Sequence, residues 1–207
     1  MPEDDIDTWD SFLKRHAATL WETDFCSKRM WTLRGPVDLY LLVFLHLGTR
    51  RIWITPCTLR PDSAWIAQQA RNFQMAAEDL ELPAKYLVHD NDTKFTQPFD
   101  DLFESVDTEV VKTAIAAPNQ QAHIKRAIQT LKFECLDAFV IVAERHLNHI
   151  CRNFTAWYNG ARCHSARDSL PPGWNKPPEL AATVDSKNIV CTTRLGGFLK
   201  SYSRRAA

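Results

Sequence analysis

The sequence predicts an α/β fold, a mixed five-stranded sheet flanked by helices. Three observations lead to that class. Three short β-type runs joined by tight turns come early in the chain and read as an antiparallel meander. Past Pro61 the apolar period changes to that of helices, and strand and helix segments then alternate. The run Leu39–Leu47 is continuously apolar apart from His46, as in a strand buried on both faces. With 207 residues, 45% of them hydrophobic and 24% charged, the chain can bury one core of ordinary size.

Taken in order, residues 8–21 space Trp9, Phe12, Leu13, Leu20 and Trp21 as a short lead-in helix. Leu20–Met30 is a first strand of large side chains and carries Asp24. Arg34-Gly35-Pro36 is a turn signal ahead of the second strand, Leu39–Leu47. Gly48-Thr49 turns the chain into Arg51–Thr55, where Ile52 and Ile54 alternate with Trp53. Pro61-Asp62-Ser63 starts a helix, with a capping side chain ahead of the periodic Trp65, Ile66, Ala70, Phe73 and Ala77. Lys85–His89 is a fourth strand that ends in Asp90-Asn91-Asp92. A short helix around Phe99–Glu104 precedes a fifth strand, Glu109–Thr113. Pro118 opens a long helix with the stripe Ile124, Ile128, Leu131 and Cys135, and a last helix shows Leu147, Ile150, Phe154 and Trp157 on one face. Pro171, Pro172, Pro177 and Pro178 then break regularity, so the end reads as an extended appendage. The expected division is a lead-in helix over 1–18, a core over 19–170 and an extension over 171–207.

Composition narrows the function classes. The formal net charge is +0, so composition alone does not announce a nucleic-acid binder. The charge is uneven: Glu3, Asp4, Asp5, Asp7 and Asp10 lie at one end, Arg194, Lys200, Arg204 and Arg205 at the other. These are either solvated ends or a basic tail for DNA phosphates. The 6 cysteines form no CxxC pair and follow no secretory leader, which favours reduced thiols. Leu39–Leu47, the longest apolar run, is too short to span a bilayer. A cytoplasmic protein without a membrane segment is expected.

In open α/β sheets functional groups gather at the carboxyl ends of strands. Asp90 ends the fourth strand, and Asp24 lies in the first, which such a sheet would place centrally. Two carboxylates at one spot raise each other's pKa, and a hard divalent cation with oxygen ligands, Mg²⁺ or Mn²⁺, relieves the repulsion. Aspartates also cap turns, so the pair alone leaves a structural role open.

Three separated blocks carry more. Trp21-Glu22-Thr23-Asp24-Phe25, His89-Asp90-Asn91-Asp92-Thr93-Lys94-Phe95, and Ala117-Pro118-Asn119 through Thr130-Leu131-Lys132-Phe133-Glu134-Cys135-Leu136-Asp137 form the set. In order and spacing they resemble the core of bacterial insertion-sequence transposases with a retroviral-integrase-like domain. The resemblance runs from about Trp9 to Leu170 and extends to Arg194-Leu195-Gly196-Gly197 and the Ser-Arg-Arg-Ala-Ala terminus. It implies a ribonuclease-H-like fold and DNA integration and recombination by a mobile element. It also implies an Asp-Asp-Glu triad that holds two divalent ions for in-line displacements at phosphorus, with Asp24 and Asp90 at the first two positions.

The family's third acid is a Glu followed by Arg, about thirty-five residues after the second Asp; here those residues are Lys125-Arg126. Lysine has no acceptor lone pair. The Lys125 ammonium is expected to pair with Asp24 and Asp90 and repel a second cation, leaving one weakly bound ion and impaired catalysis. Glu134 falls on the opposite helix face, Gln121 and Gln129 share the Lys125 face without a charge, and Asp92 reads as a loop cap. The resemblance also implies an upstream helix-turn-helix region, so a truncated copy is expected. It would be either a weakened enzyme or a non-catalytic binder of DNA or sister transposase chains that inhibits them.

Lys94, Arg126, Lys132 and Arg162 are candidate phosphate contacts, and a homo-oligomer is the expected assembly. Asn159, Arg162, His164 and Ser165 resemble the family's Tyr-Asn-x-x-Arg-x-His segment, where a DNA-backbone contact and a helix-terminal cap stay equally open. His146, His149, Cys151, Cys163 and His164 read as helix-surface groups rather than a zinc site, for want of paired cysteine spacing. Phe154, Trp157 and Tyr158 read as core.

Overall fold

A computed structural model describes residues 8–114, 118–177 and 188–204 of the chain. Its main sheet has five strands in the order β3-β2-β1-β4-β5. β1 (Leu20–Thr32), β2 (Gly35–His46) and β3 (Ile52–Ile54) pair antiparallel as the expected meander. β4 (Tyr86–His89) lies parallel to β1, and β5 (Glu109–Lys112) lies parallel to β4. β1 is therefore central. The helices are α1 (Trp9–His16), α2 (Ser63–Asp79), α3 (Gln97–Glu104), α4 (Ala122–Glu134) and α5 (Glu144–Gly160). The mixed, helix-flanked sheet read from the sequence is the one observed.

Side-chain alternation splits the strands between two cores. On β2, Leu39, Leu41, Val43 and Leu45 pack with Ile124, Ile128 and Leu131 of α4 and Ile150 and Phe154 of α5. The intervening Leu42 and Phe44 pack with Ile66 and Phe73 of α2 and Phe99 and Phe103 of α3. That is why the run is apolar at successive positions. β1 alternates in the same way: Trp21 faces the α2 side and Cys26 the α4 side. With a period of two, Glu22 and Asp24 project with Cys26, toward α4. α1 closes one end, where Leu13 covers Leu20, Leu47 and Val88.

Local chemistry explains the element boundaries. Asp62 caps α2 by accepting from the Trp65 N–H at 2.9 Å. β2 starts at Gly35, earlier than expected, because Gly35 adopts φ 112 in the tight turn and the strand pairs with β1 from there on. α4 begins at Ala122 rather than at Pro118, which instead opens a single 3-10 turn, Pro118–Gln121.

The expected extended appendage is a hairpin among the described residues. β6 (Ile189–Arg194) and β7 (Leu199–Arg204) pair antiparallel around left-handed Leu195, Gly196 and Gly197. The hairpin docks on the core: Leu199 is buried, and the Trp157 indole N–H donates to the Lys200 carbonyl at 2.9 Å. All six cysteines are free thiols. No helix among the described residues is long and apolar enough to cross a membrane. Glu3, Asp4, Asp5, Asp7, Ala117, Pro178 and Arg205 lie outside the described residues.

Candidate functional site

The parallel pairing of β1 with β4 sets Glu22 level with Val88. Carried on by two residues, that register brings Asp24 level with Asp90, just past the end of β4. The two carboxyls interact. Asp24 is pushed up to about 6, first by burial and next by the negative charge of Asp90. The Phe25 N–H, which donates to Asp24 Oδ1 at 2.7 Å, and the charge of Lys125 act against that rise. A carboxyl destabilised by lost water and a like charge is relieved by a cation.

The loop after β4 is held by its own side chains. Asp90 Oδ1 accepts from the Asp92 N–H at 3.0 Å. Asp92 accepts from the Lys94 N–H at 2.9 Å and from its ammonium at 2.9 and 3.1 Å. Burial works to raise the Asp92 pKa, but these bonds to Lys94 outweigh it and lower the value. Asp92 is thus the loop cap expected of it, and the Lys94 charge is largely engaged there.

Beneath the loop lies a buried polar chain that sequence reasoning missed. His89 Nδ1 faces the Asp90 carbonyl oxygen at 2.6 Å, and Nε2 faces the Asp100 carboxylate at 3.0 Å. The ring is thereby tied at both nitrogens, to the loop backbone and to α3. The other Asp100 oxygen lies 2.7 Å from the Lys112 ammonium, which balances the charge. The chain anchors the backbone of Asp90 itself. Its only sequence signal is an acid, Asp100, between Phe99 and Phe103 on the inward face of α3.

Glu22 was also missed, although its place two residues before Asp24 on a strand was a usable signal. Its carboxylate is fully buried; Oε2 accepts from the Ile124 N–H at 2.7 Å, and Oε1 has no hydrogen-bond partner among the described residues. Burial is the chief cause that pushes its pKa up to about 7. The bond caps the first turn of α4, where the helix dipole favours negative charge, and seats α4 over β1. Gln121 adds a second tie, donating to the Thr23 carbonyl at 3.3 Å.

Lys125 is exposed on α4, and its positive charge acts on both Glu22 and Asp24. The expected direct pairing does not form: among the described residues Lys125 makes no ion pair. An ammonium that keeps its water gains little from a surface contact. Arg126 and Lys132 line an open groove of 690 Å³ along α4 together with Lys125. Arg162 instead grips Glu134 through two bonds of 2.6 and 2.7 Å. Asn159 pairs with both backbone groups of Ile52, at 2.9 and 3.0 Å, and so extends the edge of β3. Among the described residues no three His, Cys, Asp or Glu side chains form a metal-holding group, whether around Asp24 and Asp90 or around His146, His149 and Cys151.

The five-stranded order with β1 and β4 parallel at its centre, helices on both faces, one acid within β1 and one just past β4 is a ribonuclease-H-like architecture. Residues 107–172 match the family model described as "Integrase core domain". The fold is similar to a chain of the simian T-cell lymphotropic virus intasome in complex with PP2A regulatory subunit B56 gamma. That match has a TM-score of 0.61 and 13% identity over 89% of this chain, which spans 66% of the intasome chain's length. It is also similar to the HTLV-2 integrase catalytic core domain in complex with magnesium, with a TM-score of 0.53 and 11% identity over 73% of this chain and 92% of that one. The catalytic core domain of BIV integrase matches with a TM-score of 0.52 and 16% identity, over 75% of this chain and 91% of that one. None of the curated proteins matches the chain. Over residues 107–172 the family match agrees with the resemblance read from the sequence, and the likeness to the retroviral catalytic cores is one of fold.

Proposed function

We propose that this protein is a DNA integration and transposition core of the bacterial insertion-sequence type, with catalysis impaired by Lys125. Asp24 and Asp90 would hold one Mg²⁺ or Mn²⁺. The observation that supports this most is their level position, Asp24 within β1 and Asp90 just past the end of the neighbouring parallel β4, within each other's field and that of Lys125. Two carboxylates fit one hard cation, and a magnesium-bearing relative of the same fold supports the choice. A second cation lacks its acid, because Lys125 occupies the helix position from which the family's glutamate reaches the site. A bound ion would polarise a phosphate oxygen or an attacking water.

The chain's own residues do the rest. Asp24 would hold a cation as the carboxylate, its proton released to water, with the Phe25 N–H favouring the ionised form. His89, Asp100 and Lys112 hold the backbone of Asp90 in place. Arg126 and Lys132, on the groove along α4, would contact phosphates of a strand laid past the acids. Arg162 and Lys94 contribute less, since Glu134 and Asp92 engage them.

A second reading, a non-catalytic binder of DNA or of sister chains that acts as an inhibitor, is favoured by the same lysine. Calorimetry with Mg²⁺ and Mn²⁺ on the chain and on Asp90→Asn tests the ion site. Strand-transfer and nuclease assays on the chain and on Lys125→Glu then separate the readings. Weak ion binding lost in Asp90→Asn, with joining only by Lys125→Glu, is the expected result. Robust joining by the unaltered chain would overturn the claim of impairment. DNA binding without cleavage by either protein would favour the second reading.

A further inference from the structure

We propose that the recess between α4, the end of α5 and the β2–β3 turn binds one phosphate of a nucleic-acid strand, with the Arg50 guanidinium as its principal ligand. The assignment of the phosphate to a strand rests on the DNA reading above; the recess itself does not. It has a volume of 260 Å³ and is lined by Arg50, His123, Arg126, Tyr158, Arg162 and His164.

Arg50 is the unusual member. It sits in the turn after β2 with φ 63, a left-handed conformation that residues with a side chain rarely take. The Arg50 N–H donates to the His46 carbonyl at 2.8 Å, so the turn imposes the geometry. Its side chain is half-buried, yet among the described residues the guanidinium has no hydrogen bond or ion pair. Five N–H donors held out of bulk water without an acceptor call for an oxyanion.

The neighbouring arginines differ. Arg162 is satisfied by the Glu134 carboxylate. Arg167 is satisfied by the carbonyls of Thr49, Pro172 and Trp174. Arg126, exposed on α4 and unpaired among the described residues, adds a second available guanidinium at the rim.

The imidazoles report the same positive field. His164 is pushed down to about 4 by burial, then by Arg162 and Arg167, and its Nε2 is buried without a hydrogen-bond partner among the described residues. His123 is lowered by burial and by Arg50. An anion in the recess would offset the repulsion that both rings feel. The guanidinium fork matches carboxylate and phosphate alike. The surroundings select the phosphate of a strand: His123 and Arg126 line both this recess and the groove that runs past Lys125 and Lys132. A strand in that groove passes the mouth of the recess.

The test uses the full chain, Arg50→Asn, which tolerates the left-handed turn, and Arg50→Lys. Arg71→Ala, on α2 across the sheet, removes a charge elsewhere as a control. Urea unfolding first establishes that each variant folds. Fluorescence anisotropy with a labelled oligonucleotide over a salt series then gives affinity and salt slope. Arg50→Asn is expected to weaken binding about ten-fold and to lower the slope by about one, with Arg50→Lys intermediate and Arg71→Ala unchanged. In parallel, inorganic phosphate and a nucleoside monophosphate are titrated while the Arg50 Nε resonance is followed by NMR. Its movement, together with the affinity loss, supports the site. If the chain binds DNA and Arg50→Asn binds it equally well with the same slope, the proposal is overturned. If phosphate moves the resonance but the chain binds no DNA, the recess is a small-anion pocket; the strand assignment fails together with the DNA reading. If neither ligand moves the resonance while DNA still binds, only the recess is refuted.

Discussion

Replacing Glu22 with glutamine removes an ionisable group at the junction of β1 and α4 while keeping an acceptor for the Ile124 N–H. In the folded chain burial raises the Glu22 carboxyl from 4.5 to about 7, against the Ile124 bond and the charge of Arg50. The unfolded chain ionises first as the pH rises. A raised acid pKa therefore makes stability fall between pH 4.5 and about 7 and level off above that window. At 1.36 kcal/mol for each pKa unit, the loss across the window is roughly 3 kcal/mol. Urea unfolding of both proteins at a series of pH values, with a chelator present, measures it. The stability difference should move by roughly that amount in favour of Glu22→Gln as the pH rises through the window, then stay constant. Any fixed cost of burying the amide nitrogen leaves this change untouched. Asp24, raised in both proteins, cancels to first order. A pH-independent difference, or one that moves toward the unaltered chain as pH rises, refutes the reasoning.

Other outcomes follow from the same geometry. Lys125→Glu should tighten Mn²⁺ binding and raise metal-dependent DNA cleavage by orders of magnitude, read by calorimetry and a nuclease assay; equal binding by the two proteins would contradict the role given to Lys125. Asp90→Asn removes the negative charge that raises Asp24, so the Asp24 pKa should fall toward the usual carboxylate range in a carboxyl-carbon NMR titration. Asn159→Ala deletes both bonds to Ile52 and should cost roughly 1–3 kcal/mol in urea unfolding. It should exceed Asn153→Ala, whose bonds to His149 stay within one exposed helix face.

How far the site was legible depended on the distance over which each signal acts. Asp90 stood out because strand ends and turn clusters are local patterns, and Asp24 because it is an acid within a strand that such a sheet places centrally. Lys125 stood out because it interrupts a block that otherwise resembles the family. The direct ion pair expected of Lys125 was not legible, since a helix position alone does not reveal that the ammonium keeps its water. Asn159 left two roles open, and only the packing of α5 against β3 showed that its amide completes a strand edge. The hairpin of β6 and β7 was hidden among irregular, proline-broken text, where pairing with a strand further on leaves no alternation to read.

The sequence by itself determined the order of elements from α1 to α5 and the double-sided burial of Leu39–Leu47, because side-chain periodicity is a property of each segment alone. It also showed Lys125-Arg126 where the resembled blocks lead one to expect a glutamate before an arginine. Only the tertiary structure decided that Glu22 would be sealed beneath α4, that His89 and Asp100 would brace Asp90, and that Arg50 would turn into a recess beside His164. Each of those arrangements brings separate elements together. Burial and charge at such meetings arise from packing, which no single segment encodes.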